Sequence, residues 1–132
     1  MRHMCLYKPN QREGVPPSQQ EMTKMGKLID EMTKAGVLLT TEGCQPSSKG
    51  ACVRLSGGKV TVTDGPFTET KELIAGFALI QVKSKDEAIE WTKRFLEVAG
   101  DGESEIRQLH EASDFGSDSM PERAQTEVAA KP

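Results

Sequence analysis

This sequence has no basic cluster, no cysteine framework and no apolar run long enough to cross a bilayer. Each absence excludes a class of function. Lysine and arginine total 17 against 20 acidic residues, a net charge of −3, and the cations are scattered along 132 residues. Nucleic acid is met by a concentrated positive patch, so direct binding to it is not expected. Aromatic residues are few, and Trp91 beside Lys93 and Arg94 reads as the core and solvated sides of one helix. The three cysteines, Cys5, Cys44 and Cys52, are odd in number and widely spaced, with no CxxC pair. They suit free thiols in a reducing cytosol, each a small buried hydrophobe in a strand. His3 and His110 lie at no metal-ligand spacing from a cysteine, and no metal site is expected. No glycine-rich phosphate loop follows a strand, so neither a nucleotide nor another cofactor is expected. The first eight residues hold no signal-peptide apolar stretch, and the longest apolar run, around residues 77–80, is far short of a membrane span. The expectation is a soluble cytoplasmic protein that leaves membranes alone.

What is present is enough for one domain with a real core. Residues 2–8 read as a strand, and the Gly/Pro-rich stretch to Pro17 as a loop. Ser18-Gln19-Gln20-Glu21 matches a capping box, opening a helix with Met22, Met25, Ile29 and Met32 on one face and Gly36 at its end. Strands follow at 37–41, 51–55, 59–63 and 76–83, with Ser56-Gly57-Gly58 as a hairpin turn. Ser84-Lys85-Asp86-Glu87 is a second capping box, for a helix carrying Ala88, Trp91, Thr92, Phe95 and Ala99 and ending at Gly100. A last strand spans 103–110. The domain is read as 1–111 and the polar stretch 112–132 as a loosely docked tail.

The predicted plan is α+β, a ferredoxin-like β-α-β-β-β-α-β with an antiparallel sheet, an extended central meander and both helices on one face. Met4 to Tyr7 and Phe77 to Ile80 do not alternate apolar with polar, as a half-wet sheet would. Their second side is expected to be covered by another copy of the chain, sheet against sheet, with a cavity between the two.

Between the hairpin and the fifth strand lies Asp64-Gly65-Pro66-Phe67-Thr68-Glu69-Thr70-Lys71-Glu72. Pro66 lacks an N–H and biases Gly65 towards an extended conformation, which makes a stiff corner presenting Asp64. Asp before Gly also commonly just closes a turn.

These residues resemble the YCII-related family, and within it the branch named for the tetrapeptide Asp64-Gly65-Pro66-Phe67. Met1 to Met4, Gly36 to Leu39, Glu42-Gly43, Pro46 to Ala51, Gly57 to Lys59, Thr63 to Phe77, Ser84 to Arg94 and Glu105 to Arg107 are similar to it in order, over roughly residues 1–116. The resemblance implies a fold of the dimeric α/β-barrel type and a homodimer. It implies little about the reaction: relatives with a proposed chemistry resemble lyases that use a His–Asp pair, with the His on the first helix. Residues 18–36 hold no His. Many members are encoded near extracytoplasmic-function sigma factors.

Two functions follow as expectations. In the first, a small molecule binds in a dimer cavity and undergoes a lyase- or isomerase-like step. There Asp64 is the general base, Glu42 orients the substrate, Thr68 and Thr70 bond to it, and Lys71 neutralises an anionic group. In the second, the chain is a non-catalytic dimeric binding or regulatory module linked to transcription. For each of these side chains a turn-closing or solvated role is the plainer alternative. His3 and His110 lack a placed carboxylate and read as packed or surface residues, and Arg107 with Glu105 as a cross-strand ion pair.

Overall fold

A computed structural model of the chain describes residues 1–10, 13–67 and 73–115. The elements are β1 (Arg2–Pro9), α1 (Gln19–Lys34), β2 (Leu38–Gly43), β3 (Ala51–Ser56), β4 (Lys59–Asp64), β5 (Gly76–Gln81), α2 (Lys85–Ala99) and β6 (Gly102–Gln108). Short 3-10 turns lie at Ser47–Lys49 and Ala112–Asp114. The α+β plan is as expected, with four strands between the helices where the expected order counts three. Four strands form one antiparallel sheet in the order β2-β5-β1-β6. The strands β3 and β4 leave it as a separate two-stranded hairpin, so the central meander is not continuous.

Both helices start on a serine. The Ser18 hydroxyl accepts from Glu21 N at 3.0 Å, and the Glu21 carboxylate accepts from Ser18 N at 3.4 Å. Such a cap is worth about 1 kcal/mol. Gly36, at φ +73°, takes the left-handed turn that ends α1. At α2 the Ser84 hydroxyl accepts from Glu87 N at 3.1 Å, the first half of the second box.

Strand register decides what the helices meet. His3, Cys5 and Tyr7 share a face with Ile80, Ala78 and Gly76 of β5 and with Gln108, Ile106 and Ser104 of β6. On that face pack Leu28 and Met32 of α1 and Ala88 of α2, with Met25, Trp91 and Phe95 around them. Ile80 is 1 % exposed, and its burial stabilises the fold by roughly 2–3 kcal/mol. The inward stripe of α1 differs from the expected one: Leu28 is buried within it, while Met22 remains half exposed at 49 %.

Met4, Leu6, Phe77 and Leu79 occupy the other face, beside Lys8, Glu105 and Arg107. This explains why both strands lack alternation: one side meets helices and the other carries an apolar row. Lys8 Nζ reaches Glu105 across the strands at 3.0 Å, whereas Arg107 pairs with Glu105 along its own strand at 3.1 Å, not across. Residues after β6 return to the start of β1, where Arg2 bonds to the Glu111 carboxylate and the His110 carbonyl, each at 3.0 Å. Most of the expected tail, from residue 116 onward, lies outside the described residues.

Candidate functional site

Side chains between the two helices and the sheet do not fill the space between the layers. A cavity of about 350 Å³ remains there, within the range typical of small-ligand pockets. Met25, Leu28, Ile29 and Met32 wall it from α1, Trp91 and Phe95 from α2, and Cys5, Tyr7, Ala78 and Ile80 from the sheet. Thioethers and aromatic rings together make an adaptable apolar lining.

A few polar groups punctuate that wall. Tyr7 stacks edge-on against Phe95 with ring centroids 5.1 Å apart, and its hydroxyl donates towards the Gly100 carbonyl at 3.3 Å. Burial, and then the nearby carboxylates of Asp101 and Glu21, push the Tyr7 phenol above its ordinary pKa, so it stays a proton donor. The Cys5 thiol is likewise pushed up by burial, opposed by a hydrogen bond with Thr92. It is therefore a neutral wall group and not an activated nucleophile. Thr92 donates its hydroxyl to Ala88 O at 2.7 Å, and Thr41 donates to Phe77 O at 3.0 Å. Ser104 and Glu42 complete the polar set. Gly76 makes the tight sheet end possible, since a Cβ there would lie 2.9 Å from the Glu42 carbonyl.

The residues singled out from sequence are divided by the structure. Glu42 contributes to the cavity wall, although its register opposite Phe77 assigns its side chain to the face of Leu6 and Glu105. Asp64 is the last residue of β4, paired with Ala51, exposed, and outside the cavity lining. Thr68, Thr70 and Lys71 lie outside the described residues. His3 is 2 % exposed and sits in the core, paired with Ile80 and Gln108, away from the hairpin that carries Asp64. His110 is exposed, 3.6 Å from Asp114. Cys44 and Cys52 are exposed rather than buried, because Cys44 follows the end of β2 and Cys52 belongs to the detached hairpin.

The corner itself is fastened to the turn at residues 46–50. Gly65 N donates to Gly50 O at 3.0 Å, and Phe67 N donates to the Ser47 hydroxyl at 2.9 Å. That hydroxyl donates in turn to Glu13 at 2.6 Å. The Gly65–Pro66 peptide is cis. Among the described residues no cluster of three or more His, Cys, Asp or Glu could hold a metal ion, and no helix is long and apolar enough to cross a membrane.

Cys5, Tyr7, Trp91 and Ser104 were not singled out as site residues from sequence. The signal was present in part: Cys5 and Tyr7 share one strand face, and Trp91 and Phe95 are four apart on one helix side.

Comparison with known proteins finds the following relatives. An uncharacterized protein, R00369, from Rhizobium meliloti (strain 1021) is 34% identical over 89 residues, covering 67% of this chain and 72% of that protein. Among solved structures, 5-chloro-2-hydroxyhydroquinone dehydrochlorinase (TftG) from Burkholderia phenoliruptrix AC1100, in complex with 2,5-dihydroxybenzoquinone, is similar at a TM-score of 0.44 and 12% identity. That match covers 84% of this chain and 95% of the other. The YCII-related domain profile matches residues 1–113, nearly all of the described structure, and the chain therefore belongs to the YCII-related domain family.

Proposed function

We propose that this protein binds a small, largely apolar molecule in the cavity between its helices and its sheet. The observation that carries the reading is the 350 Å³ cavity, with aromatic and thioether walls and a sparse polar set at Tyr7, Thr41, Glu42, Thr92 and Ser104. Such a lining holds a ligand by burial and orients it through a few hydrogen bonds. Calorimetric titration of the full chain with uncharged aromatic compounds tests it, with Ala78→Phe as the blocking variant. Ala78 lines the cavity, so the added ring fills it without introducing charge. Binding lost in Ala78→Phe, with thermal stability retained, supports the reading. Equal binding by the wild type and the variant would overturn it.

A second reading places chemistry between two copies of the chain. Its support is the hairpin, where Val53, Leu55, Val60 and Val62 form one apolar face and are each 60–70 % exposed. A homodimer covers this face together with the row of Met4, Leu6, Phe77 and Leu79. In that setting Asp64, on its fastened corner, is the general base of a lyase- or isomerase-like step, with Glu42, Thr68, Thr70 and Lys71 as substrate-binding groups. Without a substrate the same dimer is a binding or regulatory module. The tetrapeptide Asp64 to Phe67 supports membership of the DGPF branch, and three unpaired cysteines support a reducing compartment. Asp64→Asn separates the readings: binding to the helix–sheet cavity is unchanged, whereas turnover by a dimer-cavity site is lost.

A further inference from the structure

The cavity does not close at the strand ends. A second hollow of about 910 Å³ adjoins it, and Tyr7, Met25, Ile29, Gly43, Ala75 and Phe95 belong to both linings. The edge-on Tyr7–Phe95 pair stands at the junction. The outer hollow lies between α1, the loop at residues 13–17 and the segment following β2. Its outer wall is anchored, since Glu13 accepts from the Ser47 amide at 2.7 Å and from its hydroxyl at 2.6 Å.

Several large apolar side chains of this hollow face solvent. Val15, Met22 and Ile74 line it and are 57 %, 49 % and 39 % exposed. With the four residues of the hairpin face, they are seven of the nine large apolar side chains exposed among the described residues. Exposed apolar area is thus gathered into two patches, and gathered patches mark binding surfaces.

We propose that the two hollows form one site for an elongated, mainly apolar molecule. Its inner end fills the cavity, and its body passes Tyr7 and Phe95 to lie along Met25, Met22, Val15 and Ile74. The proposal rests on the inner cavity being a ligand site, and adds the shape of the ligand. Continuity through the Tyr7–Phe95 junction favours a chain or ring-and-chain molecule over a second copy's hairpin, whose paired strands are too broad to follow the path inward.

The test uses ω-phenylalkanols from 2-phenylethanol to 8-phenyl-1-octanol, titrated calorimetrically into the full chain. Affinity is expected to rise about two- to fourfold for each added methylene that is buried. Saturation with the longest alcohol is expected to shield Cys44, an exposed residue of the outer hollow, from a water-soluble thiol reagent while Cys52 reacts unchanged. Gly26 supplies the variant: it lines the outer hollow, and a Cβ there meets nothing within 4 Å. Gly26→Phe should weaken 8-phenyl-1-octanol tenfold or more and leave 2-phenylethanol unaffected. Affinity that does not depend on length, or Cys44 left unshielded at saturation, would overturn the elongated site alone and spare the inner cavity. Absence of binding by every alcohol would overturn both. Cys44 shielding that grows with protein concentration in the absence of alcohol would assign the hollow to a second copy, again against the proposal.

Discussion

Gly65 lies directly on the backbone of Ser47: a Cβ built on Gly65 would sit 1.7 Å from the Ser47 carbonyl oxygen. Backbone, not a pliable side chain, occupies that space. Gly65→Ala should therefore displace the corner or destabilise the fold, by about 1–3 kcal/mol as overpacking usually costs. Urea unfolding measures the loss, and a stability within 0.5 kcal/mol of wild type would contradict the close approach. Asp64→Ala, one residue away and exposed, should leave stability nearly unchanged.

His3 should make stability fall in acid. Its ring is buried, and desolvation, with the Met1 amino group adding to it, lowers its pKa below the ordinary 6.5. Above about pH 6.5 the ring is neutral in both folded and unfolded chains, and its contribution is complete. Below that, the unfolded chain takes up a proton that the folded chain resists, so stability declines by at most about 1.4 kcal/mol per pH unit. His3→Leu should flatten this decline between pH 6.5 and 5 in denaturant titrations. It should cost little at pH 7.5, because Nδ1 of His3 has no hydrogen-bond partner to lose. An unchanged acid slope in His3→Leu would place the effect elsewhere.

The hairpin face should govern self-association. Val53 opposes Val62 and Leu55 opposes Val60, so one substitution interrupts a continuous patch. Val62→Glu is expected to weaken the proposed homodimer at least tenfold in sedimentation velocity, with the far-ultraviolet circular dichroism spectrum unchanged. A wild-type chain that sediments as a monomer at micromolar concentration would remove the basis of this prediction.

Thiol chemistry should divide the cysteines. Cys44 and Cys52 are exposed, whereas Cys5 lies in the cavity wall with its pKa raised by burial. Two thiols per chain should react promptly with a disulfide reagent at pH 7.5, and the third only at higher pH or on unfolding. Three equal rates in the folded protein would mean that the cavity is open to the reagent.

The helices were legible because their signals are local. Ser18 with Glu21, and Gly36 at a positive φ, are written within a few residues of where they act. The doubly apolar strands β1 and β5 were legible too, since missing alternation reports apolar side chains on both faces. The hollow between helices and sheet was not. The expected cavity lay between copies, on the face of Leu6 and Phe77, while the hollow in a single chain lies on the face of Cys5 and Ala78. Side-chain pattern states that a face is apolar, but whether a hollow remains beneath the helices is set by tertiary packing at residues such as Leu28 and Ala88. The detachment of the hairpin was equally hidden, because β3 and β4 satisfy each other's ladder whether or not they join the sheet. For the same reason Cys52 was read as buried. The corner was found from Asp64, Gly65 and Pro66, yet its glycine is explained only by Ser47, eighteen positions earlier in sequence.

Trp91 stands in the cavity wall with the Arg94 guanidinium 5.0 Å from its ring centroid, and Arg94 pairs with Glu31 of α1. It is also the chain's single tryptophan. The indole is thus a built-in optical reporter: one face is pinned by a cation bridged to the neighbouring helix, while the ring borders the hollow. A molecule entering the cavity will shift or quench its emission with no label attached, so the first binding signal from this protein can be read from its own fluorescence.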